Sequence, residues 1–203
     1  MAPLGDRRCG LVLALLCVGA CAQPGGPREQ AYLLEKGPYQ AVYAPDGRML
    51  RLLQDKDGDG RAEVVVAYEP DGTRRAELDG DSDGIVERWE VYDSANRLVR
   101  VGQSRRTPGR ADLWERLDAK GAVRERELDE DGDGRIDRRE RFETQGLAGV
   151  ELDTDGDGRI DHWQKWQAAR LVSEELDTDG DGNPDRRLLY DARGTLQLVK
   201  LRP

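Results

Sequence analysis

The sequence predicts an all-β fold: an elongated antiparallel meander of tandem β-hairpin repeats, 24–25 residues each, joined by acidic loops. Three observations point there. Acidic loops begin at Asp55, Asp79, Asp129, Asp153 and Asp177, so their spacings are 24, 50, 24 and 24 residues. A fixed period of this size marks a repeat architecture. Between the loops lie stretches of six to seven residues with β-branched and aromatic members, strand-like and too short for helices. Hydrophobic content is only 37 %, with one Phe, against 36 % charged residues. That is too little apolar mass for a thick core, yet it recurs too regularly for a disordered chain.

The elements follow in order. Tyr43-APDG-RMLRLL is a leading half-copy, and five acidic loops come after it. They read QDKDGDGRAE from Gln54, LDGDSDGIVE from Leu78, LDEDGDGRID from Leu128, DTDGDGRID from Asp153 and LDTDGDGNPD from Leu176. The gap of 50 holds a sixth, degenerate copy, SRRTPGRADLWE from Ser104, in which Asp112 and Trp114 align with Asp137 and Arg139. Each loop leads into a strand closing at Tyr68-Glu69, Tyr92-Asp93, Leu117-Asp118, Phe142-Glu143, Trp166-Gln167 or Tyr190-Asp191. Turns follow at EPDG (69–72), DSAN (93–96), DAKG (118–121), ETQG (143–146) and DARG (191–194). Their fourth residue, Gly or Asn, supplies the positive φ of a tight hairpin. QAAR (167–170) breaks this rule. A second strand then returns to the next loop, giving a meander of roughly 12 to 14 strands.

Parity assigns the faces. Val65, Trp89, Trp114 and Trp163 share one strand position, with Arg139 and Arg187 in the other copies. Tyr68, Tyr92, Leu117, Phe142, Trp166 and Tyr190 fall three residues later, on the opposite face. Neither face is apolar across its width, which predicts a long, twisted, single-layer sheet held by cross-strand stacking.

The acidic loops place carboxylates at positions 1, 3 and 5, with a glycine at 6 for the sharp bend, as at the start of an EF-hand loop. The EF-hand closing acid at position 12 fails in three of five copies, since Val66, Glu90, Glu140, Gln164 and Leu188 stand there. Position 9 is acidic in every copy. The pattern D-x-D-x-D-G-x-x-[DE] resembles the short calcium loops between β-strands of integrin α-subunit propeller repeats. It is also similar to thrombospondin type 3 repeats, without their cysteines. A propeller itself does not fit, since its blades need four strands and about 40 residues. The resemblance implies calcium ligands at Asp55, Asp57, Asp59, Arg61 and Glu63, and at Asp79, Asp81, Asp83, Ile85 and Glu87. It implies the same at Asp129, Asp131, Asp133, Arg135 and Asp137, and at Asp153, Asp155, Asp157, Arg159 and Asp161. The last set is Asp177, Asp179, Asp181, Asn183 and Asp185; the position-7 residue of each set contributes its carbonyl. Some five calcium ions would then be held. The alternative is metal-free Asx turns, but four carboxylates per loop, five times over, exceed what turn chemistry asks. Magnesium demands tighter octahedral geometry, and zinc and copper lack ligands in a chain with one His. In the degenerate copy Ser104, Arg106 and Pro108 replace the aspartates, which excludes metal there.

The N-terminus reads as a targeting segment. Arg7 and Arg8 precede the apolar run CGLVLALLCVG (9–19), too short to span a bilayer, and Val18-Gly19-Ala20-Cys21 closes it. This resembles the lipobox of bacterial lipoproteins, which implies a signal peptide at 1–20, a lipidated Cys21 and a membrane anchor. An ordinary secretory signal is the alternative. Ala22, rather than Asp, implies the outer membrane in that family. Residues 21–37, with PGGP inside, read as a tether, and 38–203 as the repeat domain. The three cysteines all lie at or before Cys21, so the body has no disulfide. Cleavage before Cys21 removes Asp6, Arg7 and Arg8, leaving 40 acidic and 30 basic residues, a formal charge of −10. That excludes nucleic acid and suits cations.

No nucleophile elbow, catalytic Cys or phosphate-binding loop occurs, and the single histidine, His162, sits on a predicted surface strand. The grammar Y-[DE]-x-x-G-x-L resembles MORN-like and YD-type hairpin repeats of bacterial surface proteins. The expectation is a non-enzymatic, calcium-binding repeat lipoprotein serving as a cell-envelope scaffold, in the periplasm or at the surface. A second expectation is an adhesin that binds a glycan or protein through the face of Trp89, Trp114 and Trp163.

Overall fold

The structure, a computed structural model, describes residues 30–201. The predicted signal peptide, the lipidation site Cys21 and the tether up to residue 29 lie outside the described residues. Among the described residues, fifteen antiparallel strands form one open sheet in strict sequence order. They are β1 Tyr32–Lys36, β2 Tyr39–Tyr43, β3 Met49–Gln54, β4 Val64–Tyr68, β5 Arg74–Leu78, β6 Arg88–Tyr92, β7 Leu98–Gln103 and β8 Leu113–Leu117. β9 Val123–Leu128, β10 Arg138–Glu143, β11 Gly146–Leu152, β12 His162–Gln167, β13 Arg170–Leu176, β14 Arg186–Tyr190 and β15 Leu196–Leu201 complete it.

The sheet starts earlier than the sequence had suggested. β1 lies inside the span read as tether and pairs with β2 from Tyr32↔Tyr43 to Lys36↔Tyr39. Its turn, Gly37-Pro38 with Gly37 at φ +58°, lacks the fourth-place glycine of the other turns, so this first hairpin escaped the pattern. The strand total therefore exceeds the 12 to 14 expected. The hairpin turns otherwise behave as read: Gly72, Asn96, Gly121, Gly146 and Gly194 all have positive φ.

Register carries one row straight across the sheet: Val65, Glu77, Trp89, Gly102, Trp114, Glu127, Arg139, Glu151, Trp163, Glu175 and Arg187 pair in turn. Opposite charges thus alternate with tryptophans on one face, a favourable cross-strand arrangement. Trp114 lies over Gly102, where a Cβ would stand 2.8 Å from the indole ring, and Arg100 stacks 4.2 Å from its centroid. Trp89 packs beside it at 6.5 Å. Trp89 and Trp114 are thus engaged in cross-strand packing.

The other face holds what core there is. Ala76, Val101 and Val150 are buried, Val150 to 1 % exposure, and they share their row with charges. Arg126 donates to Glu115 at 2.8 Å and Glu140 at 3.2 Å, while Arg138 pairs with Glu140 at 2.7 Å. Tyr92 donates to Glu90, which places it on this face and away from Trp89, as parity required. Burial opposes ionisation of Glu90, but its bonds from Tyr92 and Arg88 outweigh that and hold its carboxyl below the usual range. His162, expected on a surface strand, is half-buried on this face and bonds Glu174 at 2.9 Å, beside Gln164. The sheet thus replaces much of a hydrophobic core with a ladder of satisfied charges.

Candidate metal-binding loops

Two antiparallel strands per repeat send every acidic loop to the same edge of the sheet, where the Gly37-Pro38 turn also lies, with Asp55 N donating to Pro38 O at 2.9 Å; the other hairpin turns lie at the opposite edge. Within a loop, the first aspartate shapes the bend. Asp55 accepts from Gly58 N at 2.6 Å and Gly60 N at 3.0 Å. Asp79 does so from Ser82 and Gly84, Asp129 from Gly132 and Gly134, Asp153 from Gly156 and Gly158, and Asp177 from Gly180 and Gly182. Position 5 accepts from the position-7 amide in each loop: Arg61 N to Asp59, Ile85 N to Asp83, Arg135 N to Asp133, Arg159 N to Asp157 and Asn183 N to Asp181, all at 2.7–2.8 Å. The position-9 acid folds back over the loop's second residue. Glu63 accepts from Lys56 N, Glu87 from Gly80 N, Asp137 from Glu130 N, Asp161 from Thr154 N and Asp185 from the Thr178 hydroxyl.

These bonds fix the loop's shape but add no positive charge to its carboxylates. In two loops all four acids converge: Asp55, Asp57, Asp59 and Glu63, and likewise Asp79, Asp81, Asp83 and Glu87, each bring one oxygen within 4.8 Å of the others. The remaining three loops bring together Asp129, Asp131 and Asp137; Asp153, Asp155 and Asp161; and Asp177, Asp179 and Asp181. Asp133, Asp157 and Asp185 stand outside those groups. Each of the five groups could hold a metal ion. The crowding shows at Asp179. Its bond from Asp181 N favours the charged form, but burial and the neighbouring Asp181 and Asp177 carboxylates win and raise its pKa. Position 1 sits deepest in three loops, with Asp79, Asp129 and Asp153 all under 9 % exposed, whereas in the first loop Glu63 at position 9 is more buried than Asp55.

Consecutive loops are joined by backbone bonds. Asp79 N donates to Glu63 O, Asp129 N to Asp112 O, Asp153 N to Asp137 O and Asp177 N to Asp161 O, at 2.8–2.9 Å. The degenerate loop keeps the same frame without its aspartates. Asp112 accepts from the amides of Arg105, Arg106 and Thr107, and the Ser104 hydroxyl donates to Thr107 O at 2.7 Å.

One set of contacts was missed in the sequence. The position-7 side chain of one loop reaches the position-6 glycine of the next: Arg61 to Gly84, Ile85 to Gly109, Arg110 to Gly134 and Arg135 to Gly158. The repeat period alone would have placed these side chains at one position, and the strand register then sets which neighbour they meet.

No protein family and no curated protein matches the chain. Among solved structures it is similar to the GtfA/B complex, at 15 % identity over 58 % of this chain and 20 % of that one, TM-score 0.27. It is also similar to accessory secretory protein 1, 2 and 3 of Streptococcus pneumoniae, at 15 % identity over 64 % and 20 %, TM-score 0.23. TarM is a third, at 5 % identity over 68 % and 20 %, TM-score 0.19. The chain spans about a fifth of the length of these proteins, and at such scores the likeness carries no functional argument.

Proposed function

We propose that the acidic loops take up calcium and that the protein is a calcium-stiffened β-repeat scaffold of the bacterial cell envelope. The observation that carries this is the convergence of three or four carboxylate oxygens in each of five loops, all on one edge of the sheet. Oxygens bound at 2.3–2.6 Å around one calcium can lie up to about 5 Å apart, which suits the 4.8 Å clustering. Carboxylate and carbonyl oxygen is the ligand chemistry that calcium prefers. Each ion would offset the repulsion inside a loop and so fix the angle between successive hairpins. Extracellular sites of this kind have dissociation constants of about 0.1–1 mM. At ten times that concentration each loop gains about 1.4 kcal/mol by mass action.

The scaffold reading includes a lipid anchor at Cys21 in the outer membrane, carried by Val18-Gly19-Ala20-Cys21 and Ala22. A non-catalytic role fits a sheet whose one histidine is engaged with Glu174. Isothermal titration of the chain with calcium should give saturable uptake of several ions, with a higher melting temperature than in chelator. No uptake at millimolar calcium sinks the reading.

A second reading, a glycan- or protein-binding face, rests on the groove lined by Trp163, Arg141, Lys165, Glu175 and Arg187. A glycan array in which Trp163→Ala loses a signal seen with the wild type would favour it. Silence of the wild type would remove it.

A further inference from the structure

The loop at 104–112 lost its aspartates but gained a definite charge. Arg105, Arg106 and Arg110 stand against the single acid Asp112, a formal charge of +2. The next loop along the edge, 129–137, is among the most acidic, with Asp129, Glu130, Asp131, Asp133 and Asp137 against Arg135, a formal −4. The loop before it, 79–87, is also −4, from Asp79, Asp81, Asp83 and Glu87. A basic loop therefore sits between two acidic ones.

The contacts use that charge. Arg110 donates to the carboxylate of Asp129, the position-1 acid of the next loop, which is 4 % exposed and already bonded by Gly132 N and Gly134 N. Arg106 donates to the carbonyl oxygen of Glu130 in the same loop. At the equivalent position Arg135 ends on the carbonyls of Gly156 and Asp157, and Arg61 against Gly84. Both also lie 3.8–4.0 Å from an exposed carboxylate of their own loop, Asp133 and Asp59, whereas Arg110 crosses to the buried position-1 carboxylate of the next loop, one that would otherwise be a metal ligand.

We propose that the 104–112 loop is a built-in cation for its neighbour: Arg110, assisted by Arg106, closes the 129–137 loop in place of a divalent ion. This rests on the calcium reading for the other loops and sharpens its count to four ions. A unit positive charge about 5 Å from a divalent ion weakens its binding roughly tenfold even at the dielectric constant of water. The repeat pair around β7 to β10 then keeps its shape without metal, while the outer repeats depend on it.

The test is calcium titration of the full chain, together with melting in chelator, for the wild type, Arg110→Gln and Arg110→Lys. Four ions are expected for the wild type, five for Arg110→Gln and four for Arg110→Lys, which keeps the charge. In chelator Arg110→Gln should melt about 2–4 °C below the wild type, and Arg110→Lys close to it. Five ions in the wild type, or five in Arg110→Lys, overturn the proposal. If no variant binds calcium, the calcium reading fails, and the melts in chelator still decide the clamp. A drop for Arg110→Gln then supports it, and equal temperatures overturn it.

Discussion

At Ser82 the loop geometry and the residue disagree. Position 4 is glycine in four acidic loops, at φ between +74° and +84°, but Ser82 is held at φ +63°. The left-handed region costs an ordinary residue on the order of 1 kcal/mol, partly offset by the greater freedom of glycine in the unfolded chain. Ser82→Gly should stabilise by about 0.5 kcal/mol, a rise of about 1–2 °C in melting temperature. An unchanged or lower value would show that the strain is relieved by other means. The hairpin turns carry a different residue-level device. Asp118 accepts from Ala122 N at 3.0 Å, Lys120 N at 2.8 Å and Arg124 Nε at 2.9 Å, and these bonds, the two amides first, hold its carboxyl below the usual range against the opposing effect of burial. Asp93 is lowered in the same way, first by Arg97 N and then by the Arg97 guanidinium. A depressed folded pKa stabilises fully above the unfolded value, near 3.9, and the gain is lost as pH falls through the folded value. Stability should therefore drop below about pH 4. Asp118→Asn should flatten part of that acid limb in melts between pH 5 and 2.5, and an unchanged limb would count against the turn carboxylates as its source.

Elements were legible wherever local chemistry and tertiary pairing agreed. The strand ends, the fourth-place glycines and the row of Trp89, Trp114 and Trp163 all follow from spacing, because a period-2 element in a fixed register has little freedom. The turn at Gln167–Arg170 shows the limit. Its sequence, QAAR, carries no turn signal, yet β12 and β13 pair through Gln167↔Arg170, with Ala168 at φ +48° and Ala169 at φ +59°. Two positive-φ residues make a type I′ connection, for which Asn-Gly is preferred. Pairing along the rest of the hairpin imposes this turn and holds it against its local preference. Replacing Ala168-Ala169 by Asn-Gly should stabilise by about 1–2 kcal/mol, read as a higher urea midpoint with an unchanged slope. A lower midpoint would mean the alanines make contacts that offset the strain. The first hairpin was missed because its Gly37-Pro38 turn lacks the fourth-place glycine of the other turns and follows a Pro-Gly segment that reads as linker.

Along the whole molecule the loops form one charged edge. Their formal charges, from 55–63 to 177–185, are −2, −4, +2, −4, −3 and −4, counting Lys56 and Arg61 in the first and Arg159 in the fifth. The candidate ligands were readable because a carboxylate pattern is local. What they neighbour was not, since Arg110 meets Asp129 only through the strand register. Loops two strands apart lie about 10 Å from each other. Neighbours of charge −4 and −3 then repel by about 5 kcal/mol in unscreened water. A Debye length of about 30 Å at 10 mM salt leaves most of that repulsion standing, whereas about 8 Å at 150 mM removes the greater part. In chelator, raising sodium chloride from 10 to 150 mM should therefore lift the melting temperature by about 5–10 °C. With four calcium ions bound, the summed loop charge falls from −15 to −7 and the largest repulsions between neighbours shrink, so the same change should move it by much less. Equal salt dependence in the two states would mean that the loops carry the same charge in both, and calcium would not be the ion that holds this edge together.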